Sequence, residues 1–409
     1  MPDAKKSSAP RDAVPVREEL LRRAAALVPA LRERSARAET MRRCPDETVA
    51  DFEAQGLIRI CQPARYGGYE LGWDVRSEVC QTLARGCGSQ AWVHHILTDH
   101  SQKLGSFDVR AQDDVWGENP DARIAAGLDP VGMARRVAGG AIYSGRHGFS
   151  SGIDHAQWLI CGGHIFADGK ATERCFFLVP KSEARVIDDW QVMGLAGTGS
   201  KSFEIAESFV PDHRILDAFV ADDGAGPGTR VNKAPIFRVP FASIAATGFA
   251  AVAVGIAEGF LAEWADWTRG RHSRGLVIAE LMGTQIDAGQ AAIEIDTAAR
   301  LYLGAAQEAM ATLARGERLG DELRLRARLE ASFAAQLALG AVQRLFNAAG
   351  GRALYARTDL QRRLRDIQAA ASHISVVWNT AAAAYGGHRL GTGAIDPLST
   401  RARPLPAQD

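Results

Sequence analysis

The stretch GRHGFSSGIDHAQW, residues 145–158, gathers two serines, two histidines, an aspartate and a tryptophan between glycines, in a region that otherwise reads as strands. A polar interruption of that kind asks for a chemical reason. A second stretch, WQVMGLAGTGSKSFEIA (190–206), follows its Trp with a Gly-Thr-Gly-Ser turn and then a strand. Gly194, Gly197 and Gly199 let the backbone approach a ligand closely, while Thr198 and Ser200 offer hydroxyls and N–H groups to the polar rim of a heterocycle. The same turn also suits a tight β-connection with no ligand.

Three further sets of residues could carry chemistry. AWVHHILTDH (91–100) places His94, His95, Asp99 and His100 on one helix; His95, Asp99 and His100 could be imagined as metal ligands, but no HExxH spacing is present. His373, in ASHISVVWN, is predicted on an alanine-rich helix, where an isolated histidine is ordinarily a hydrogen-bonded core residue. WTRGRHSRG (267–275) holds Arg269, Arg271 and Arg274 in a loop between helices, a setting suited to bidentate phosphate recognition.

The elements that must position these residues follow from periodicity. Leu20, Leu21, Ala24, Leu27, Val28 and Leu31 predict an amphipathic helix over 17–38. A second helix starts near Pro45, with Asp46 and Thr48 as capping residues, and ends at Gly56; two more span 74–86 and 88–106. From Arg123 to about Pro211, β-branched and aromatic runs alternate with turns, and Asp168-Gly169 is a hairpin signal. VADDGAGPGTR (220–230) reads as a Gly/Pro linker. From Pro240 onward the chain predicts long alanine-rich helices, with breaks at 269–275, 314–321, 348–359 and 385–397. The expected fold class is α+β. A disordered lead-in (1–16) precedes an N-terminal α-helical domain (17–122), a middle antiparallel β-domain (123–232) and a C-terminal four-helix-bundle domain (233–409).

Composition narrows the function classes. The 409 residues include 48 Lys+Arg and 48 Asp+Glu, so no net field draws the protein to nucleic acid or to an anionic membrane. Six scattered cysteines without a CxxC pair suit a reducing cytoplasm, and the first residues lack a secretory h-region. The uncharged run Phe241–Ala257 approaches membrane-span length, but it continues into Glu258, Glu263 and Asp266 and is expected to be a buried core helix. No GxGxxG follows a strand, so NAD(P)H is not expected to bind.

Taken in order, QPARYGG (62–68), GSQAWVHHILTDH (88–100), FSSGIDHAQW (149–158), the Gly-Thr-Gly-Ser turn and DLQRRLRDIQAAASH (359–373) resemble the acyl-CoA dehydrogenase fold. The likeness covers nearly the whole chain. It is closest to the oxygenase components of two-component flavin-dependent monooxygenases: hydroxyphenylacetate hydroxylases, secosteroid phenol hydroxylases and dibenzothiophene monooxygenases. The resemblance implies an oxygenase that receives FMNH2 or FADH2 from a separate NAD(P)H:flavin reductase. Through a C4a-hydroperoxide formed with O2, it would hydroxylate an aromatic or heteroaromatic substrate. It further implies a cytoplasmic homotetramer that uses no metal.

By the same resemblance Phe149 lies against the flavin ring and Ser151 hydrogen-bonds its N5, protecting the oxygenated adduct. Ser150, counted with this flavin-contacting stretch, alternates away from the ring with Asp154 and His155 or supports the loop. Thr198, Gly199 and Ser200 contact the flavin, Arg271 binds its phosphate with Arg269 and Arg274 as competitors, and Gly350 and Gly351 approach a neighbouring subunit's flavin. His373 lies near the oxygen-reactive edge; His100 orients or deprotonates the substrate, beside Trp92 and Ala126.

The chain departs from the pattern in places. Ala196 stands where an arginine often precedes Gly-Thr-Gly, and IAAGLDP (124–130) replaces frequent serines; Ala125, Ala126 and Gly127 are compatible with a bulkier, more apolar substrate. Glu258, Glu263 and Glu280 all read as surface-helix residues, so the catalytic glutamate of an FAD-dependent acyl-CoA dehydrogenase has no clear counterpart. N- or S-oxygenation by the same fold is the nearest alternative to aromatic hydroxylation, and the dehydrogenase is the next.

Overall fold

The computed structural model describes residues 14–242 and 245–392. The expected lead-in lies outside the described residues up to position 13, as does the chain from 393 onward.

The first helices are α1 (Arg17–Met41), α2 (Asp46–Ala54), α3 (Trp73–Ala84), α4 (Gly88–Leu104) and α5 (Val109–Trp116). On α1 the buried residues Leu20, Ala24, Leu27 and Leu31 form one face, as their spacing requires. Asp46 and Thr48 do not cap α2. Pro45 occupies the N-cap without a side-chain bond, and the Thr48 hydroxyl donates across to Gln90 Oε1 at 2.6 Å. All 17 residues of α4 are buried, polar ones included. Each of its polar groups must therefore find a partner inside the protein or leave a desolvated dipole.

Seven strands follow: β1 (Ile124–Val137), β2 (Gly140–Ser150), β3 (Trp158–Ala167), β4 (Lys170–Pro180), β5 (Arg185–Ile187), β6 (Lys201–Pro211) and β7 (Ile215–Asp217). They form one sheet in the order β5-β6-β2-β1-β3-β4-β7. The expectation of an antiparallel sheet holds for every pairing in it but one, because β1 and β3 run parallel. After the β1–β2 hairpin the chain crosses over through residues 151–157 to the other edge of β1, and strand direction then leaves no alternative. That crossover is the polar stretch that interrupts the strands. Asp168 and Gly169 both take positive φ, 49° and 73°, and close the β3–β4 hairpin.

The segment 220–230 is a packed strap and not a free linker. It begins in the short helix α6 (Ala218–Asp222), and Gly228 donates its N–H to Ser106 O at 3.0 Å. A Cβ on Gly226 would lie 2.3 Å from Ser106 O, so the glycines serve close packing there.

The C-terminal part comprises α7 (Ala245–Arg269), a two-residue-stranded hairpin β8 (His272–Ser273) and β9 (Leu276–Val277), then α8 (Met282–Ala314), α9 (Asp321–Ala349), α10 (Asp359–Ala371) and α11 (Trp378–Leu390). The expected break beginning at Tyr385 is absent as far as Leu390. Gly386 and Gly387 continue α11, which stops at Gly391 with φ 69°; residues 393–397 lie outside the described residues. The break falls earlier, between α10 and α11, and leaves His373 off the helix. The apolar window of α7 is 83% buried, as a core helix requires. One hydrophobic cluster runs from Leu20 through Trp73, Val93 and Ala253 to Ala334 and Val376, so the N-terminal helices and the bundle share a core.

Candidate active site

The FSSG turn owes its shape to a break in strand alternation. His147 pairs with Phe203 and Ser150 with Lys201, so β2 carries one residue more than β6 between those pairs. Phe149 sits in this bulge at φ 56°, a costly conformation for a bulky residue. The bulge turns Phe149 outward, where it is 80% exposed, and sends both serines inward. Ser150 is buried, and its hydroxyl has no hydrogen-bond partner. Asp154 accepts from Lys201 Nζ at 2.9 Å, and His155 Nε2 donates to Cys44 O at 2.9 Å, so those two do support the loop.

A second strained residue faces the first turn. Leu195 takes φ 54° at the start of the Ala196–Thr198 turn. Its N–H donates to Asp366 Oδ1 at 2.7 Å, tying the turn to α10. Burial raises the Asp366 carboxyl to about 6. The close approaches expected of the glycines here are made to protein. A Cβ on Gly194 would lie 2.0 Å from Arg365 O, and one on Gly197 would lie 3.0 Å from both Ala38 and Ser89 side chains. Gly199 supplies φ 56°, and Gly152 N–H donates to Thr198 O at 3.0 Å, joining the two turns.

A line of hydroxyls connects these turns to α4. Trp92 Nε1 donates to Ser151 Oγ at 3.1 Å, Ser151 Oγ lies 2.7 Å from Ser200 Oγ, and Ser200 Oγ lies 2.7 Å from Thr198 Oγ1. Thr198 donates to Leu195 O at 2.8 Å.

Above Ser151 stands an aromatic cluster. Phe249 of α7 stacks on His373 with ring centroids 3.9 Å apart, Trp92 meets His373 edge-on at 5.3 Å, and His95 meets Phe249 edge-on at 4.4 Å. His373 caps a short turn rather than riding a helix. Its Nδ1 accepts the Ser375 N–H at 3.3 Å, so Nε2 carries the ring proton and is a donor. Burial lowers its imidazole to about 4. His100 has the opposite tautomer: Nδ1–H donates to Ile124 O at 3.0 Å, which leaves Nε2 as an acceptor. Burial lowers this imidazole also to about 4, against the opposing pull of Asp99. Asp99 itself is bound to Lys103, both oxygens at 3.0 Å from Nζ, with Arg76 at 3.7 Å. Among the described residues no three His, Cys, Asp or Glu side chains gather as a metal site.

Ala126 lies two residues beyond Ile124 on β1, buried on the side of Leu104 and Phe107. Ala125 and Gly127 do not share that side. Ala125 packs with Tyr143 in the sheet's other core, and a Cβ on Gly127 would lie 2.4 Å from the His147 Cβ. Period-two alternation thus leaves Ala126 alone to widen any pocket next to His100.

Arg271 lies two residues beyond the end of α7 and reaches Gly350, where a Cβ would lie 3.0 Å from Nη2. Its Nη1 is buried with no hydrogen-bond partner. Arg269 is an exposed ion-pair partner of Asp266, and Arg274 sits at φ 50° in the β8–β9 turn. Nothing packs within 4 Å of a Cβ on Gly351. Phe249, Asp366 and Leu195 escaped sequence reasoning. Phe249 is one aromatic in an alanine-rich run, and the left-handed backbone of Leu195 leaves no trace in residue type.

Comparison with known proteins gives the family. The acyl-CoA dehydrogenase C-terminal domain family matches residues 247–378. The chain is 35% identical over 369 residues to the flavin-dependent monooxygenase oxygenase subunit HsaA of Mycobacterium tuberculosis, covering 89% of this chain and 93% of that protein. It is 34% identical over 385 residues to the oxygenase component of an FADH2-dependent resorcinol hydroxylase from a Rhizobium species, covering 91% and 94%. The crystal structure of 3-HSA hydroxylase from Rhodococcus sp. RHA1 superimposes with a TM-score of 0.88 at 33% identity, over 93% of this chain and 99% of that one. The chain belongs to the family of flavin-dependent monooxygenase oxygenase components built on the acyl-CoA dehydrogenase fold.

Proposed function

We propose that the protein hydroxylates an aromatic substrate, with reduced flavin held between the FSSG turn, the Gly-Thr-Gly-Ser turn and the His373 cluster. The observation that carries this is the convergence of Trp92, Ser151 and His373 from three separate regions of the chain. The residues suit a flavin. Ser150 has an orphaned buried hydroxyl, Ser151 keeps a hydrogen-bonding position open, and Phe149 and Trp190 pack edge to face at 5.8 Å beside the turn. What a bound reduced flavin supplies is the two-electron reduction of O2, leaving one oxygen atom for the substrate and one for water.

The protein's own part is positional and protic. His100 Nε2 accepts a hydrogen bond from a substrate hydroxyl, orienting it and polarising the O–H toward the ring, while His373 presents a donor across the site. Trp92 and Phe249 keep water from the reacting edge. Arg271 lies at the opposite end of α7 from Phe249, about 30 Å along the helix, and beside Gly350, so it takes the phosphate of a neighbouring subunit's flavin, supported by its unpartnered Nη1. Ala126 borders the substrate, and the resorcinol hydroxylase relative favours a phenol. Dehydrogenation is disfavoured by the placement of the three glutamates considered for its base. Glu258 is bound to Arg85 and Gln81, Glu263 to Arg363, and Glu280 stands in the turn before α8.

The reduced flavin, FMNH2 or FADH2, comes from a separate NAD(P)H:flavin reductase. The assembly is a cytoplasmic homotetramer formed through the bundle, supported by the exposed Met282, Ile286 and Ile293 along α8 and by Leu354 and Tyr355 after Gly351. To test the function, the protein is mixed anaerobically with reduced flavin and a panel of phenols and then exposed to 18O2. One 18O atom per product molecule is the expected result. Reoxidation at the rate of free flavin with no labelled product from any phenol overturns it.

A further inference from the structure

We propose that Ser200 and Thr198 are positioning residues that fix the direction of the Ser151 hydroxyl and so make the site select reduced over oxidised flavin. The inference rests on the placement of flavin N5 at Ser151.

The argument is a count of protons. Each hydroxyl has one hydrogen to donate. Thr198 gives its hydrogen to Leu195 O, because a carbonyl only accepts. The Ser200–Thr198 bond must then be donated by Ser200, and the Ser151–Ser200 bond must be donated by Ser151. Trp92, whose indole N–H only donates, fills one lone pair of Ser151 Oγ. A single position is left on Ser151, and it is an acceptor. Reduced flavin carries a hydrogen on N5 and matches that position, whereas oxidised flavin presents a lone pair there and meets another. The chain's terminus is locked by Leu195, whose left-handed conformation aims its carbonyl at Thr198 and whose N–H is held by Asp366.

The test compares dissociation constants of FAD and of dithionite-reduced FAD, the latter measured anaerobically, for the full chain and its variants. Wild type is expected to bind the reduced form more tightly. In Ser200→Ala the Ser151 hydrogen loses its acceptor and is free to turn toward N5. The ratio of oxidised to reduced dissociation constants should fall roughly tenfold, the worth of one neutral hydrogen bond, chiefly through tighter binding of FAD. Thr198→Val should act in the same direction by letting Ser200 donate to Ser151. Thr198→Ser restores the terminal donor and should leave the ratio at its wild-type value. A merely structural role would weaken both forms together and leave the ratio unmoved. An unchanged ratio in both Ser200→Ala and Thr198→Val overturns the proposal while the flavin reading stands. If Ser151→Ala alters neither constant, the placement of N5 at Ser151 falls, and this inference with it. If wild type binds neither form, the flavin reading falls first.

Discussion

The indole of Trp92 donates to the hydroxyl of Ser151 across 3.1 Å, a bond between the first half of α4 and the residue that follows β2. The same ring packs against Phe249 and His373. One side chain thus joins the N-terminal helices, the sheet and the bundle at the point where oxygen chemistry is proposed.

Trp92→Phe keeps a ring in that cluster and deletes one buried hydrogen bond. Its stability should fall by only about 1 kcal/mol, read from a urea midpoint. Product formed per reduced flavin consumed should drop, with hydrogen peroxide making up the difference, because Ser151 then loses the donor that holds it in line. Equal coupling in variant and wild type would show that the bond is only structural.

Arg271→Lys should weaken reduced-flavin binding by roughly tenfold, since an ammonium cannot reproduce a bidentate guanidinium. Arg269→Lys, at an exposed ion pair with Asp266, should leave affinity unchanged. Gly350→Ala should weaken binding as well, because the new Cβ would crowd Arg271 and force an L-residue into φ 73°. Titration of all three variants with dithionite-reduced FAD ranks the arginines directly.

His94 and His100 are fully buried on α4, and burial lowers each to about 4 in the folded protein. The unfolded imidazole titrates near ~6.5, so between the two values the unfolded chain binds more protons and stability rises with pH. Their contribution is complete above about pH 6.5 and is lost as pH falls toward 4, at roughly 2 kcal/mol per histidine by about pH 5. Urea midpoints at pH 7 and pH 5 check this, and His94→Gln should flatten the slope.

Asp366 behaves with the opposite sign. Burial raises its folded value to about 6, so the stability linked to its protonation is complete below the unfolded carboxyl value and is lost as pH rises through about 6. Asp366→Asn keeps an acceptor for Leu195 N–H and should match wild type within about 1 kcal/mol at pH 7. Asp366→Ala strands that N–H and should cost about 1–3 kcal/mol in the same denaturation experiment.

Much of the fold was legible from residue order. The helix, strand, helix succession follows from periodicity, because the 3.6-residue and two-residue patterns are local properties of which side chains must be hidden. The Asp168-Gly169 hairpin and the buried fate of α7 are local in the same sense: one depends on backbone permitted at positive φ, the other on an apolar stretch long enough to need a core. Serines, histidines and arginines with site-like spacing also stood out by type, and Trp92, Ser151 and His373 did converge.

Tertiary structure decided what those residues do. A bulge that no residue type announces turned Ser150 inward, and β1's partner on its second edge fixed the one parallel pairing. The glycines at 194 and 197 proved to make room for α10, α1 and α4 rather than for a ligand, since close approach is a property of what lies opposite. The direction of the hydroxyl line from Trp92 to Leu195 is likewise set by a carbonyl 44 positions beyond Ser151. Sequence supplies donors and acceptors; only their arrangement in space determines which of them has a hydrogen left to give.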